Sequence, residues 1–453
     1  MKKSKKVWSL LLVLSLVIGM AAGGVQSQAY SVPSNMKWWT KDRFGMFIHF
    51  GAYSYYGHGE WAMQIEGISK QKYQQTVAAK FNPTKFNANE IVKYAKLAGM
   101  KYIVITAKHH EGMAMWDTKV ASFKDYTGKT MFSLQQYTPF GKTGRDVLME
   151  LKTACDKAGI KFGLYYSIID WNHSSQTING DFTKMKSMAA RTAYIRDMKA
   201  QLKELVDRYD PAIMWFDGDW TYRRKAPTLA KWWTKADGKD LYKYVKSLKS
   251  SILVNERVCR GFKLGDFECP ERSIPEKAPS RPWETCQSMN DAWGYKKDLE
   301  NSYRSYKYLI RELVDVASKS GNYLLNIGPK GDGTMTAGSK KALRGIGNWM
   351  KKNGSSIYAT SGNPFGKVPS WGTYTKKGKN VYVHVTKWPK NKKLTVRKYK
   401  NKKLKKVYLL ESGKKISCKG NKKGKTKVTL KVTKKVPNKK DTVIVMQYKW
   451  VSV

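Results

Sequence analysis

The sequence predicts an α/β fold: an irregular (β/α)8 TIM-like barrel followed by a C-terminal antiparallel β-sandwich. Apolar runs of strand length alternate with longer segments of helical periodicity over most of the chain, the pattern of parallel βα units. Several helical segments stop at a glycine, as in ANEIVKYAKLAG and GRDVLMELKTACDKAG, where a left-handed cap ends a helix. From Tyr358 onward the pattern becomes strict alternation, as in VYVHVTKW, LTVRKY, KVTLKV and DTVIVMQY, between Lys-, Asn- and Gly-rich turns. Such strands put one face on a core and the other in water.

Taken in order, the barrel strands are GMFIHF (45–50), YIVITA (102–107), FGLYYS (162–167), AIMWFD (212–217), ILVNER (252–257), DFECPE (266–271), WETCQS (283–288) and YLLNIG (323–328). Helical segments separate most of them, including the long run from Met185 to Tyr209. The stretches joining the fifth, sixth and seventh are too short and polar for full crossover helices, hence an irregular barrel. The polar, turn-rich stretch KNGSSIYATSGNPF marks the junction, giving a barrel over 30–357 and a sandwich over 358–453.

Residues 1–29 read as an export signal: the lysine-rich start MKKSKK, an apolar run, then small residues at Ser27 and Ala29. No later segment is apolar enough to span a bilayer, so the expectation is a secreted, extracellular protein with no membrane span, able to associate with the cell surface. The five cysteines form no C-x-x-C pair; they read as buried free thiols, although Cys259, Cys269 and Cys286 are near enough in sequence for one disulfide.

The formal charge of +51 is unevenly distributed: from Pro364 onward there are 28 lysines and arginines against two acids, Glu411 and Asp441. Such a field attracts polyanions. With no nucleic-acid motif present, the reading divides between a solvated surface and contact with anionic cell-wall polymers or mucin-type glycans.

In a barrel the chemistry gathers at the C-terminal ends of the strands. His49 ends the first strand, followed by Glu60 and Trp61; Lys108, His109 and His110 follow the second; Tyr165 and Tyr166 close the third. The fourth supplies Trp215 and Asp217, the fifth Asn255 and Arg257, the sixth Glu271, and the seventh Trp283 and Glu284, with Trp293 beyond. Indoles that stack on a pyranose, beside imidazoles and carboxylates that bind hydroxyls, suit a sugar pocket. In AIMWFDGDW, alternation puts Trp215 and Asp217 on one face, with Met214 and Phe216 on the other. Gly218 turns the backbone, leaving Asp219 as a loop-capping residue. A metal site from His49, His109, His110 and Asp217 is the competing chemistry, but no H-x-H or HExxH spacing supports it. On an extended segment the adjacent His109 and His110 side chains diverge.

Several stretches together resemble the α-L-fucosidases of glycoside hydrolase family 29: WWTKDRFGMFIHFGAYS, GEWAMQ, AKHHEGMAMWDTKV, FGLYYSIIDWN, AIMWFDGDW, VNER, GDFECPE, PWETC, DAWGY and GNYLLNIGPKGDG. They occur in the family's order over roughly residues 36–350. The resemblance implies a retaining hydrolase of terminal α-linked L-fucose that uses no metal or other cofactor. It implies Asp217 as nucleophile and His49, Glu60, Trp61, His109, His110, Trp215 and Arg257 as residues gripping the sugar. Trp293 would line its methyl group, and either Tyr165 or Tyr166 would reach the pocket. Glu271 is the preferred acid/base, with Glu284 as rival. The basic tail resembles the family's sandwich only in architecture, and the alternative to an enzyme is a catalytically silent fucose- or glycan-binding protein.

Overall fold

The computed structural model describes residues 32–177, 184–220, 222–223 and 226–449. The export-signal reading of residues 1–29 lies outside them. Seven parallel strands form the main sheet: β1 (Phe44–Ile48), β2 (Tyr102–Lys108), β3 (Lys161–Ser167), β4 (Ile213–Asp217), β5 (Leu253–Val254), β6 (Glu284–Ser288) and β7 (Asn322–Ile327). Their spatial order is β6-β7-β1-β2-β3-β4-β5. The predicted sixth strand is not regular. Instead, parallel bridges join Asn255 to Phe267, Glu268 to Trp283 and Glu271 to Cys286. This ladder fills the gap between β5 and β6, and Pro270, which lacks an N–H, interrupts it.

Crossover helices are α1 (Ala88–Ala98), α2 (Val147–Ala158), α3 (Met188–Tyr209), α4 (Lys235–Leu248) and α5 (Tyr306–Ser318); α6 (Ala337–Asn353) follows β7. Each starts at a side-chain cap: Asn87, Asp146, Ser187, Thr234, Ser305 and Thr336 in turn accept a backbone N–H of the first turn, each cap contributing about 1 kcal/mol. Only a short 3-10 turn, Glu256–Val258, follows β5, as the short polar connection there anticipates.

Strand alternation sorts side chains into two cores. Met214 and Phe216 join the layer between strands and helices. Phe47, Val104, Tyr165, Ile213, Trp215 and Leu324 fill the barrel interior. The five cysteines are free thiols.

The C-terminal strands are β8 (Gly372–Lys377), β9 (Asn380–Val385), β10 (Lys393–Arg397), β11 (Leu404–Leu409), β12 (Cys418–Lys419), β13 (Lys427–Lys431) and β14 (Thr442–Tyr448). They form a four-stranded sheet, β8-β9-β14-β11, and a three-stranded sheet, β10-β13-β12. Along β14, Val443 and Val445 pack into the barrel's helical layer, while Ile444, Met446 and Tyr448 face the second sheet. The Trp349 indole N–H on α6 donates to Asp441 O (3.0 Å), fastening the two parts together.

Candidate active site

Asp217, the last residue of β4, is the centre of the rim. It is 8% exposed. Its Oδ1 accepts from Arg257 Nη1 (2.9 Å) and Arg260 Nη2 (3.1 Å). Its Oδ2 accepts from the Tyr165 hydroxyl (3.2 Å) and lies 3.7 Å from His110 Nε2. Burial alone raises a carboxyl's pKa. Here the guanidiniums of Arg257, foremost, and Arg260 outweigh burial and bring Asp217 down to about 2, so it is ionised at neutral pH. Gly218 has φ +83°, and a Cβ there would crowd Ile169, so only glycine lets the chain leave the strand this sharply.

Arg257 comes from the 3-10 turn after β5. Its Nη2 donates to Glu271 Oε2 (2.8 Å) while Nη1 holds Asp217, so one guanidinium carries both carboxylates. The guanidinium also lies over Trp215, 4.7 Å from the ring centroid. Glu271 is the open member of the pair, its side chain 40% exposed. Its Oε1 accepts from the Trp293 indole N–H (3.2 Å).

His49 and His110 are held as neutral rings of defined tautomer. His49 Nδ1 lies 2.7 Å from Asn326 Oδ1, and Asn326 Nδ2 is committed to Trp293 O (2.7 Å). Nδ1 therefore carries the proton and Nε2 is left as an acceptor. His110 Nδ1 lies 2.6 Å from Ser167 Oγ, whose own proton goes to Ile169 O (2.6 Å). By the same logic His110 Nε2 is an acceptor facing Asp217 Oδ2, two acceptors suited to sharing hydroxyl protons. Burial pulls His49 down to about 3 and His110 to about 4, and it holds His109 well below its usual range.

Aromatic rings wall the space. His109 stacks on Tyr165 (5.3 Å, 11°), Trp293 on His49 (5.2 Å, 28°), and Trp215 on Tyr165 (5.6 Å, 19°). Trp61 packs beside His110 (5.4 Å) and Trp220 (5.5 Å). Glu60 is buried behind this wall, its Oε2 accepting from Gly294 N (2.8 Å) next to Trp293.

Three sequence expectations need correction. His109 and His110 do not diverge: their ring centroids lie 4.1 Å apart. The β2–β3 register shifts between Thr106 and Lys108, and a turn follows in which Gly112 N donates to His109 O, so the segment is not extended there. Tyr166 does not reach the pocket; its hydroxyl donates to Gln201 Oε1 (2.7 Å) in the helical layer, because it sits one residue out of phase with Tyr165. Glu284 lies at the opposite end of the barrel. It begins β6, opposite Asn322 at the start of β7. There it accepts from the Tyr102 hydroxyl and, at 3.2 Å, from the Trp215 indole N–H. Burial raises it to about 7, against the pull of these donors. That value suits an acid, but the group is fully buried, and its hydrogen-bond donors, Tyr102 and Trp215, are not those of Asp217.

Two residues escaped the sequence reading. Arg260 reaches Asp217 from the loop after the 3-10 turn, and also donates from Nε to Asp219 Oδ1 (2.9 Å) and from its backbone N to Asp219 Oδ2 (2.6 Å). Asp219 is thereby the capping residue expected. Asn326 orients both His49 and the Trp293 backbone; the signal was an amide inside the apolar run YLLNIG. Among the described residues, no group of three or more His, Cys, Asp and Glu side chains is arranged to hold a metal ion.

Two carboxylates on one arginine, at the C-terminal rim of a TIM-like barrel and walled by indole and imidazole rings, are the equipment of glycoside hydrolysis. The class is glycoside hydrolase. Comparison with known proteins supplies the family. The alpha-L-fucosidase model matches residues 23–355, and the alpha-L-fucosidase C-terminal domain model matches 367–449. The tail thus resembles the family in sequence as well as architecture, a further correction. The bovine (Bos taurus) tissue alpha-L-fucosidase is 30% identical over 378 residues, covering 78% of this chain and 75% of its own. Alpha-L-fucosidase isoenzyme 1 from Paenibacillus thiaminolyticus superposes with a TM-score of 0.79 at 30% identity, covering 92% of this chain and 99% of its own. The glycoside hydrolase family 29 alpha-L-fucosidase of Bacteroides thetaiotaomicron, solved as a trapped covalent intermediate with 2-fluoro-fucosyl fluoride, superposes with a TM-score of 0.79 at 28% identity, covering 92% and 97%. The chain belongs to the alpha-L-fucosidase family, glycoside hydrolase family 29, and its activity is that of an α-L-fucosidase.

Proposed function

We propose that the chain is an exported, retaining exo-fucosidase that releases terminal α-linked L-fucose by double displacement, with Asp217 as nucleophile and Glu271 as acid/base. The observation that carries the assignment is the shared Arg257 guanidinium, which holds an ionised, buried Asp217 on one nitrogen and the open Glu271 on the other. Retaining enzymes need their carboxyl groups about 5–5.5 Å apart, and a shared guanidinium keeps both within one glycosidic bond's reach. Glu271 faces the open side, where a leaving sugar departs and water enters.

Asp217 Oδ1 is occupied by two guanidiniums, so Oδ2 is the attacking oxygen. It forms a bond to the anomeric carbon as the glycosidic C–O bond breaks, and the leaving oxygen takes the proton of Glu271. In the second step Glu271 removes a proton from water, water oxygen bonds to the anomeric carbon, and the Asp217 ester bond breaks. Oδ1 remains the carbonyl oxygen throughout, held by Arg257 and Arg260. His49, His109 and His110 accept sugar hydroxyls, and such contacts strengthen as charge develops in the transition state. Trp61 and Trp215 shape the pocket, Glu60 supports the Trp293 loop, and Trp293 faces the sugar's methyl. The covalent intermediate trapped in the Bacteroides relative supports this reading. The lysine-rich, apolar N-terminus supports export, and the basic tail supports association with anionic glycans outside the cell.

Asp217→Ala is expected to lower turnover by about 10⁴-fold or more, with azide restoring part of it as the β-fucosyl azide. Near-normal turnover would remove Asp217 from the mechanism. Glu271→Ala is expected to slow substrates with poor leaving groups far more than activated aryl fucosides; equal losses on both would remove the acid role.

A further inference from the structure

The outermost layer of the molecule is the three-stranded sheet β10-β13-β12. Its inward residues, Leu394, Val396, Val428 and Leu430, pack onto the four-stranded sheet. Its outward face follows from the register: Lys393 opposite Lys431, Thr395 opposite Thr429, and Arg397 opposite Lys427, with Lys419 beside Thr429. Like charges directly opposite across an antiparallel pair are destabilising, yet this face has two such pairs and no acid. Lys393, Arg397, Lys419, Lys427 and Lys431 make no ion pair among the described residues. The two acids of the region are engaged elsewhere, Glu411 with Lys352 (2.8 Å) and Asp441 with His384 (2.7 Å). Beside β10 the face opens into a cleft of about 190 Å³ lined by Lys367, Tyr374, Thr395, Arg397 and Lys427.

We propose that this face and its cleft bind a linear anionic polysaccharide, a sugar chain bearing sulfate, phosphate or carboxylate groups. The inference rests on the reading of the basic tail as a polyanion-holding module and names the surface that does the holding. Cations recur at every fourth residue along β10 and β13, about 13–14 Å apart with a threonine between them, and face one another across strands about 4.7–4.9 Å apart, a grid of cation pairs for anions spaced along a chain. The cleft brings Lys367, Arg397 and Lys427 around one anionic group, where the opposed Arg397 and Lys427 find the counter-charge the chain itself lacks. Thr395 and Thr429, whose hydroxyls lie 3.3 Å apart between the two cationic pairs, offer partners to sugar hydroxyls. The outward face has no aromatic residue and Tyr374 at the cleft is buried, so neither presents a ring on which bases could stack, which favours a polysaccharide over a single-stranded nucleic acid. A fucosidase held this way works along an anionic glycan without reading its charge at the catalytic pocket.

The test uses the full-length protein on immobilised dextran sulfate, titrated with salt. One variant combines Lys393→Gln, Arg397→Gln, Lys427→Gln and Lys431→Gln; a control of equal charge loss combines Lys405→Gln, Lys414→Gln, Lys415→Gln and Lys422→Gln. The face variant is expected to bind at least about 10-fold more weakly with a shallower salt dependence, and the control within about 2-fold of the parent. Both should keep the parent's melting temperature and its turnover of an aryl fucoside. Equal losses in the two variants would overturn the site, since net charge alone would then explain binding. No retention of the parent on dextran sulfate would overturn the module reading itself. Displacement by duplex DNA as efficient as by soluble dextran sulfate would overturn the choice of polysaccharide.

Discussion

Positive charge is handled in opposite ways at the barrel rim and on the outer sheet. At the rim, Arg257 and Arg260 contact three carboxylates, those of Asp217, Asp219 and Glu271. On the outer sheet, five cations share a face with no carboxylate at all. A buried guanidinium beside a carboxylate settles protonation and geometry over a few ångströms. Exposed cations without partners project a field to about the Debye length, some 8 Å at physiological salt. The difference separates a region built for chemistry from one built for attraction, and their salt sensitivities should separate in the same way.

The largest break in the rim should come from Arg257. Arg257→Lys keeps the charge but not the planar fork that carries both carboxylates, and kcat/KM is expected to fall about 10³-fold. A loss under about 3-fold would show that the shared guanidinium is dispensable. Arg260→Met should cost less, about 10–100-fold, and should carry a signature. Without that cation Asp217 rises toward the usual carboxylate range, so the acid limb of the kcat/KM profile moves to higher pH. The groups facing Asp217 besides Arg260 are Arg257, His110 and Tyr165, with Glu271 across the shared guanidinium and Asp219 behind. A rate loss with no movement of the acid limb would make Arg260 a loop anchor through Asp219.

The smallest effect is on stability, at the closed end of the barrel. Glu284 is raised by burial to about 7, so the folded state holds a proton that the unfolded state releases near the ordinary carboxyl pKa. Its contribution is therefore complete below the unfolded pKa and is lost as pH rises through about 7. Glu284→Gln should flatten the fall in urea stability between pH about 5 and 7.5, at a cost of about 1–3 kcal/mol from mispaired donors at Tyr102 or Trp215. Glu111, raised by burial to about 8, leaves a residual slope of the same sign. An unchanged slope would mean that Glu284 does not titrate in this window.

How much of this was legible in the sequence depended on whether a residue lay in a regular strand. Period-two alternation in AIMWFDGDW correctly put Trp215 and Asp217 on the inner face, because β4 is regular through Asp217. The same rule could not choose between Tyr165 and Tyr166 until the inner face of β3 was known. It failed at His109 and His110, where a register shift and a turn replace extended backbone. Glu271 closes the run DFECPE and Glu284 lies near the start of WETCQS, so in a parallel barrel their places within the runs already put them at opposite ends, where the observed register has them. Arg260 was invisible for a different reason: it enters from a loop, and no periodicity connects a loop residue to the strand end it contacts.

The most direct measurement is covalent trapping. Incubation with 2-deoxy-2-fluoro-fucosyl fluoride, proteolysis and mass spectrometry should find one fluorofucosyl group per chain, esterified to Asp217 in the peptide containing AIMWFDGDW. Label on any other carboxylate, or an inactivated enzyme carrying no adduct, would contradict the assignment of Asp217 as the attacking group.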